Sequence, residues 1–236
     1  MNGFPTAADF NARRVTNPSQ SEVIRQRLYD YQLYPTAGVS QLTFFQNPIG
    51  TGITTALGAT VGSAKTVADT SQELAGTLPS GKAFLIESIE VVFFPGSSSD
   101  ANTYVVAAPS QFNATASAGL TSQIQDINRI YQSGVLELNI LSKNYVRETP
   151  ILAFPPKANF NLDAAVASNA AVATGEVALV NMRATGRPYF VEPSIALQPA
   201  VNFEVVIKFP GVVSTPSGFN GRIGVILDGY TMRASQ

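Results

Sequence analysis

The sequence predicts an all-β protein, an antiparallel sandwich with a polar N-terminal arm and short helices. Three observations carry that prediction. Phe84 to Phe94 is an unbroken run of mostly apolar residues, β-branched and aromatic, and Pro95-Gly96 closes it. Val135 to Leu141, Val201 to Phe209 and Arg222 to Met232 show the period-two alternation of half-buried strands. The segments between them are turn dipeptides and Gly/Ser/Thr-rich loops in place of regularly spaced helices, which argues against a parallel α/β sheet.

Residues 1 to about 18 are polar and broken by Pro5 and Pro18, which reads as an extended arm; Arg13-Arg14 is its adjacent basic pair. Ser19-Gln20-Ser21-Glu22 matches a capping box. Ile24, Leu28 and Tyr31 follow at helical spacing, so a short amphipathic helix is expected from about 20 to 33, stopped by Pro35. Val39 to Gln46 is the first expected strand. Residues 50 to 83 are Gly/Thr/Ala/Ser-rich without clear periodicity. In the central run, Phe84, Ile86, Ser88, Glu90, Val92 and Phe94 fall on one face, and Leu85, Glu87, Ile89, Val91 and Phe93 on the other.

A short strand is expected at Thr103 to Ala107. Leu120, Ile124, Ile127 and Tyr131 mark one helical face, giving a helix from about 120 to 132 that ends near Gly134. Val135 to Leu141 turns Leu136, Leu138 and Ile140 inward. Tyr145 to Phe154 is a further strand interrupted by Pro150. Ala164 to Ala173 is a low-complexity Ala stretch, read as a surface loop or a frayed helical turn, and Glu176 to Arg183 reads as a strand. Residues 186 to 200 hold three prolines and read as loop. Val201 to Phe209 places Phe203, Val205, Ile207 and Phe209 on one face and ends at Pro210-Gly211. Arg222 to Met232 turns Ile223, Val225 and Leu227 one way. The count is about eight substantial strands, which suits a jelly roll or a related sandwich. The division is residues 1–36, arm and short helix, and residues 37–236, the jelly-roll sandwich domain.

Composition narrows the chemistry. Of 236 residues, 45% are hydrophobic and 13% charged, about half the usual charged share of roughly 25%. A surface so short of charge is either covered by neighbouring subunits or built from Ser, Thr, Asn and Gln. With 15 basic and 16 acidic residues, no long-range field draws the whole chain to nucleic acid. Cys and His are absent, which removes disulfides, thiolate and imidazole metal sites, and nucleophile–histidine arrangements. No apolar run approaches the ~18 residues of a membrane span. The N-terminal residues lack the pattern of a secretory signal, so a protein made and kept in a cytoplasm, or released by lysis, is expected.

Several motifs suggest chemistry and fail on inspection. Gly76 to Ala83 resembles a phosphate-binding loop, but Ala83 stands where a metal-binding hydroxyl is needed, and the loop leads into a strand. It reads as a turn feeding the central run. Gly50-Thr51-Gly52 lacks the third glycine and the helix of a dinucleotide fingerprint. Asn113-Ala114-Thr115 is a glycosylation sequon without a secretory signal. Glu87 and Glu90, on opposite faces of one strand, make no acid–base pair by spacing. Asp228-Gly229 fits a turn or bulge. Arg183, Arg187, Arg222 and Arg233 are read as scattered surface arginines. No catalytic, cofactor-binding or metal-binding residue is assigned.

Four features together carry a resemblance. They are the polar arm with its short helix, the segment Gln41 to Gly50, the stretch Asp69 to Gly96, and the closing Gly221-Arg222-Ile223-Gly224-Val225-Ile226-Leu227-Asp228-Gly229. In this pattern the chain resembles the jelly-roll major capsid proteins of tailless icosahedral phages. The resemblance implies a structural, non-enzymatic virion protein, made in the host cytoplasm, that self-assembles into an icosahedral shell. Its partners would be copies of itself in a capsomer, neighbouring capsid subunits and minor capsid proteins. The arm would reach a neighbour, an internal membrane or the genome. The alternatives are a phage spike or receptor-binding β module with surface aromatics for glycans, and a sandwich glycosidase with two carboxylates roughly 5 to 10 Å apart in a cleft.

Overall fold

A computed structural model describes residues 21–56, 59–60, 62–96, 125–157 and 188–234. The expected strands at Thr103–Ala107 and Glu176–Arg183, the Ala-rich stretch, the arm and the sequon lie outside them. Eight strands are described: β1 (Ser21–Tyr34), β2 (Val39–Phe44), β3 (Lys82–Phe94), β4 (Val135–Ile140), β5 (Lys143–Pro150), β6 (Tyr189–Leu197), β7 (Phe203–Val213) and β8 (Gly221–Ala234). They form two antiparallel four-stranded sheets, ordered β1-β8-β3-β6 and β2-β7-β4-β5. Four hydrogen-bonded pairs are nested: β1 with β8, β2 with β7, β3 with β6, and β4 with β5. Among the described strands, only the β4–β5 connection stays within one sheet.

The inner faces of both sheets meet in one apolar cluster, an arrangement compatible with a β-sandwich. Phe84, Ile86, Ile89, Val91 and Phe93 of β3 and Ile223, Val225 and Leu227 of β8 enter from one sheet. Leu136, Leu138 and Ile140 of β4 and Phe203, Val205, Ile207 and Phe209 of β7 enter from the other. The alternation read from β4, β7 and β8 therefore points the right residues inward. Tyr34 ties the layers together, with its ring edge-on to Phe93 at 5.8 Å and to Phe209 at 5.7 Å. Its hydroxyl donates to the Val213 carbonyl at 2.5 Å, and burial pushes its pKa up to about 12.

The structure corrects four expectations. The segment expected to be a helix at about 20–33 is strand β1, paired residue for residue with β8 from Ser21↔Ala234 to Tyr34↔Gly221. Its side chains also alternate. Leu28 and Tyr34 join the core, while Val23 joins the outer face. Ile24 and Leu28, four residues apart, fit a period of two as well as a helix, whereas Tyr31 falls on the opposite face of the strand under Arg222; tertiary pairing decides for the strand. The proline-rich segment read as loop holds strand β6, which lies at a sheet edge, where a residue without an N–H is tolerated. Its Pro193 falls in the register shift between Ile86↔Ile195 and Ser88↔Phe190. Strand β7 likewise continues through Pro210-Gly211 to Val213, because a shift between Val39↔Val213 and Gln41↔Lys208 accommodates them.

The fourth correction concerns β3. Ile86 faces Gly229 and Ser88 faces Asp228, so Glu87 is an extra residue, a bulge. Beyond it the faces exchange: Phe84 and Ile86 point inward, and so do Ile89, Val91 and Phe93. The expected helix near 120–132 is seen as α1, residues 125–133 among those described, with Ile130 buried in the core.

Gly229 is required at the bulge, since a Cβ there would stand 1.8 Å from the Leu85 carbonyl oxygen. Gly211 has nothing within 4 Å of the same position. Gly229→Ala should therefore lower unfolding stability by roughly 2–3 kcal/mol through overpacking, while Gly211→Ala should stay within about 0.5 kcal/mol. Urea unfolding of both variants checks this; equal midpoints would refute the close approach.

Candidate functional site

The bulge has an electrostatic result. With the faces exchanged, Glu90 joins Asp228 on the outer face of the β1-β8-β3 sheet, and Glu87 lies beside them. The expectation that Glu87 and Glu90 point apart is overturned for that reason. Arg25 and Arg27 project onto the same face from β1. Arg25 donates to Asp228 Oδ2 at 3.1 Å and stands 3.9 Å from Glu87; Arg27 is 3.9 Å from the same Asp228 oxygen. Lys157 bonds Asp228 and lies 3.8 Å from Glu90, while its backbone N–H donates to Glu90 Oε2 at 2.8 Å. Three carboxylates thus face three cations.

Glu90 and Asp228 are buried, at 2% and 1% exposure. Glu90 Oε1, Asp228 Oδ1 and the neighbouring Ser88 hydroxyl have no hydrogen-bond partner. Burial pulls the Lys157 pKa below that of a free lysine; Glu90 pushes it up, and Arg27 and Arg25 push it down. Next to the cluster, Ala83, Leu85, Tyr230 and Met232 form a second, smaller apolar group on the outer face. The arrangement holds the chain after Phe154 against the sheet. Among the described residues, no group of acidic side chains has the disposition of a metal site.

A second network fixes the long β2–β3 connection. Asp30 of β1 is fully buried. It accepts the Phe45 N–H at 2.8 Å and the Lys65 ammonium at 2.6 Å. Asp69, also fully buried, accepts the Thr54 hydroxyl at 2.6 Å, the Thr55 N–H at 2.7 Å and hydroxyl at 2.9 Å, and the Thr66 N–H at 3.0 Å. Arg222 lies 3.6 Å from it and covers the Tyr31 ring at 4.0 Å. The connection nevertheless leaves Ile49, Ile53, Val67 and Leu74 exposed.

The edges β5 and β6 flank a third feature, a groove of about 580 Å³ lined by Tyr145, Arg147, Thr149, Tyr189, Glu192 and Gln198 among others. Tyr145 and Tyr189 expose part of their rings there.

The chain matches no family model, no curated protein and no solved structure. Function must therefore be argued from this geometry.

The motifs singled out in the sequence separate in space. Lys82, from the phosphate-loop look-alike, opens β3 and pairs with Glu73 at 2.5 Å. Gly50 and Gly52 take positive φ in the β2–β3 connection. Arg222 and Arg233 stand at opposite ends of β8, the latter paired with Glu22; Arg183 and Arg187 lie outside the described residues. Sequence reading missed the Glu87–Glu90–Asp228 convergence, because no pattern in the run announces an extra residue. Asp228-Gly229, read as a turn or bulge, was the nearest signal: Gly229 faces the bulge across the ladder.

Asp69 titrates below the usual carboxylate range: burial acts to raise its pKa, but the hydrogen bonds from Thr54, Thr66 and Thr55 outweigh burial. A carboxyl lowered on folding contributes stability above its unfolded value, near ~3.9, and loses it as pH falls through the lower folded value. Asp69→Asn should cost about 3 kcal/mol at neutral pH, with the difference from the parent shrinking below about pH 4. Urea unfolding across that range tests it; a gap independent of pH would refute the assignment.

Proposed function

We propose that this chain is a self-assembling shell subunit, a jelly-roll major capsid protein of an icosahedral virion. The observation that carries the reading is the nesting of β1–β8, β2–β7, β3–β6 and β4–β5 across two sheets. A chain folded as one long hairpin of four pairs, wrapped over itself, is the jelly-roll plan, and viral capsid and lectin domains use it. Fold alone does not assign function, so the surface must supply the rest. Charge is scarce, and the β2–β3 connection presents four exposed apolar side chains on a segment fixed by buried hydrogen bonds. A fixed apolar projection on a weakly charged body suits contacts between copies better than a solvated monomer. The buried carboxylates are matched by cations and lie away from the β5–β6 groove, which does not favour acid–base hydrolysis.

One observation favours a second reading, a receptor-binding module of the virion. The β5–β6 groove combines two tyrosine rings with Arg147, Glu192 and Gln198, a mixture that suits sugar rings and hydroxyls.

Negative-stain microscopy and light scattering of the purified chain test the first reading. Closed shells or ordered arrays are expected; a monodisperse monomer at high concentration would overturn it. Replacing Ile53 and Val67 together by Glu should leave the unfolding free energy from urea titration within about 0.5 kcal/mol and shift the population to small species.

A further inference from the structure

Lys65 is nearly inaccessible, and its ammonium lies 2.6 Å from Asp30 Oδ1. A buried ion pair is held at a high desolvation cost, and a primary amine pressed on a carboxyl has a chemical alternative to remaining charged. We propose that Lys65 and Asp30 join as an intramolecular isopeptide bond, which ties β1 covalently to the β2–β3 connection.

The chemistry balances without any added reagent. The ammonium passes one proton to the carboxylate, leaving a neutral amine and a carboxylic acid. Lys65 Nζ then attacks Asp30 Cγ. The new bond is Nζ–Cγ, the bond broken is Cγ–Oδ1, and Oδ1 departs as water with its own proton and one from the amine. Nothing is oxidised or reduced.

The surroundings supply what the step needs. Asp30 Oδ2, where negative charge grows as the tetrahedral centre forms, accepts the Phe45 backbone N–H at 2.8 Å. A fixed donor at that atom stabilises the developing oxyanion. Burial pushes the Asp30 pKa above that of a free aspartate, against the opposing pull of Lys65, and so favours the acid form that loses water.

Both reacting residues are held in place by their backbones. Lys65 donates to Thr51 O and accepts from Gly50 N, at 3.2 and 2.9 Å. Asp30 bridges to Thr70, between bonds from Tyr31 N to Asp69 O and from Ser71 N to Tyr29 O. Holding reactants this way turns a slow bimolecular condensation into a positioned intramolecular one. The product removes two buried charges and leaves an amide. The inference does not rest on the shell reading and would hold for a monomer.

Intact-mass spectrometry of the full chain decides it. The expected mass is that of the sequence less one water. In the denatured, trypsin-digested protein, cleavage after Lys65 should be lost, because the acylated lysine no longer fits the protease, and the peptide from Leu28 should run on to Lys82, one water light. Lys65→Met and Asp30→Ala should each restore the full mass. An undiminished parent mass with normal cleavage after Lys65 would overturn the bond. So would a missing water that persists in Lys65→Met, since that would place the dehydration elsewhere.

Discussion

Strand β8 is hydrogen-bonded along both sides, to β1 from end to end and to β3 from Lys82 to Phe94. This sheet is therefore complete only when β1 and β8, from opposite ends of the described chain, meet. This is a demanding closure, because the partners are about as far apart in sequence as the chain allows. Once made, it gives β1, an edge strand with few fully buried residues, a place it could not hold by its own hydrophobicity. The nested pairs follow inward from that outermost one to the β4–β5 hairpin, and the two sheets close over a shared interior.

That constraint explains which parts of the fold were legible in the sequence. Strands β4, β7 and β8 were readable, because one face of each carries the apolar residues that meet the shared core. Leu136, Phe203 and Ile223 could be assigned their direction from spacing alone. β1 could not be, because a strand that owes its conformation to a distant partner need not carry a distinctive pattern, and Ser19 to Glu22 offered a plausible helix start. β6 was hidden by its prolines, which an edge position and an irregular register permit. The helix before Gly134 was readable, since Ile127, Ile130 and Tyr131 serve the core from one side.

The electrostatic features were the least legible. Whether Glu87, Glu90 and Asp228 converge depends on one inserted residue, and parity is lost across a bulge that composition does not reveal. The Asp30–Lys65 contact joins residues from a strand and a loop that show no mutual signal in sequence. Both networks share a logic: carboxylates removed from water are met by basic side chains or backbone N–H groups from elsewhere in the chain. They fix segments that have little apolar burial of their own, Lys157 after Phe154 in one case and the β2–β3 connection in the other. The large apolar side chains that connection exposes are thereby held in fixed positions, which makes them suited to contact another surface.

The register Ser21↔Ala234 also has a topological consequence. The outer ends of the paired first and last strands are ladder neighbours, so a short peptide could join them into a ring. The ring could then be reopened at the exposed tip between β4 and β5, around Leu141, a connection that crosses no layer. Such a circularly permuted chain would keep every nested pair while reversing which of them is formed from neighbouring sequence, and with it the order in which the sheets can zip together.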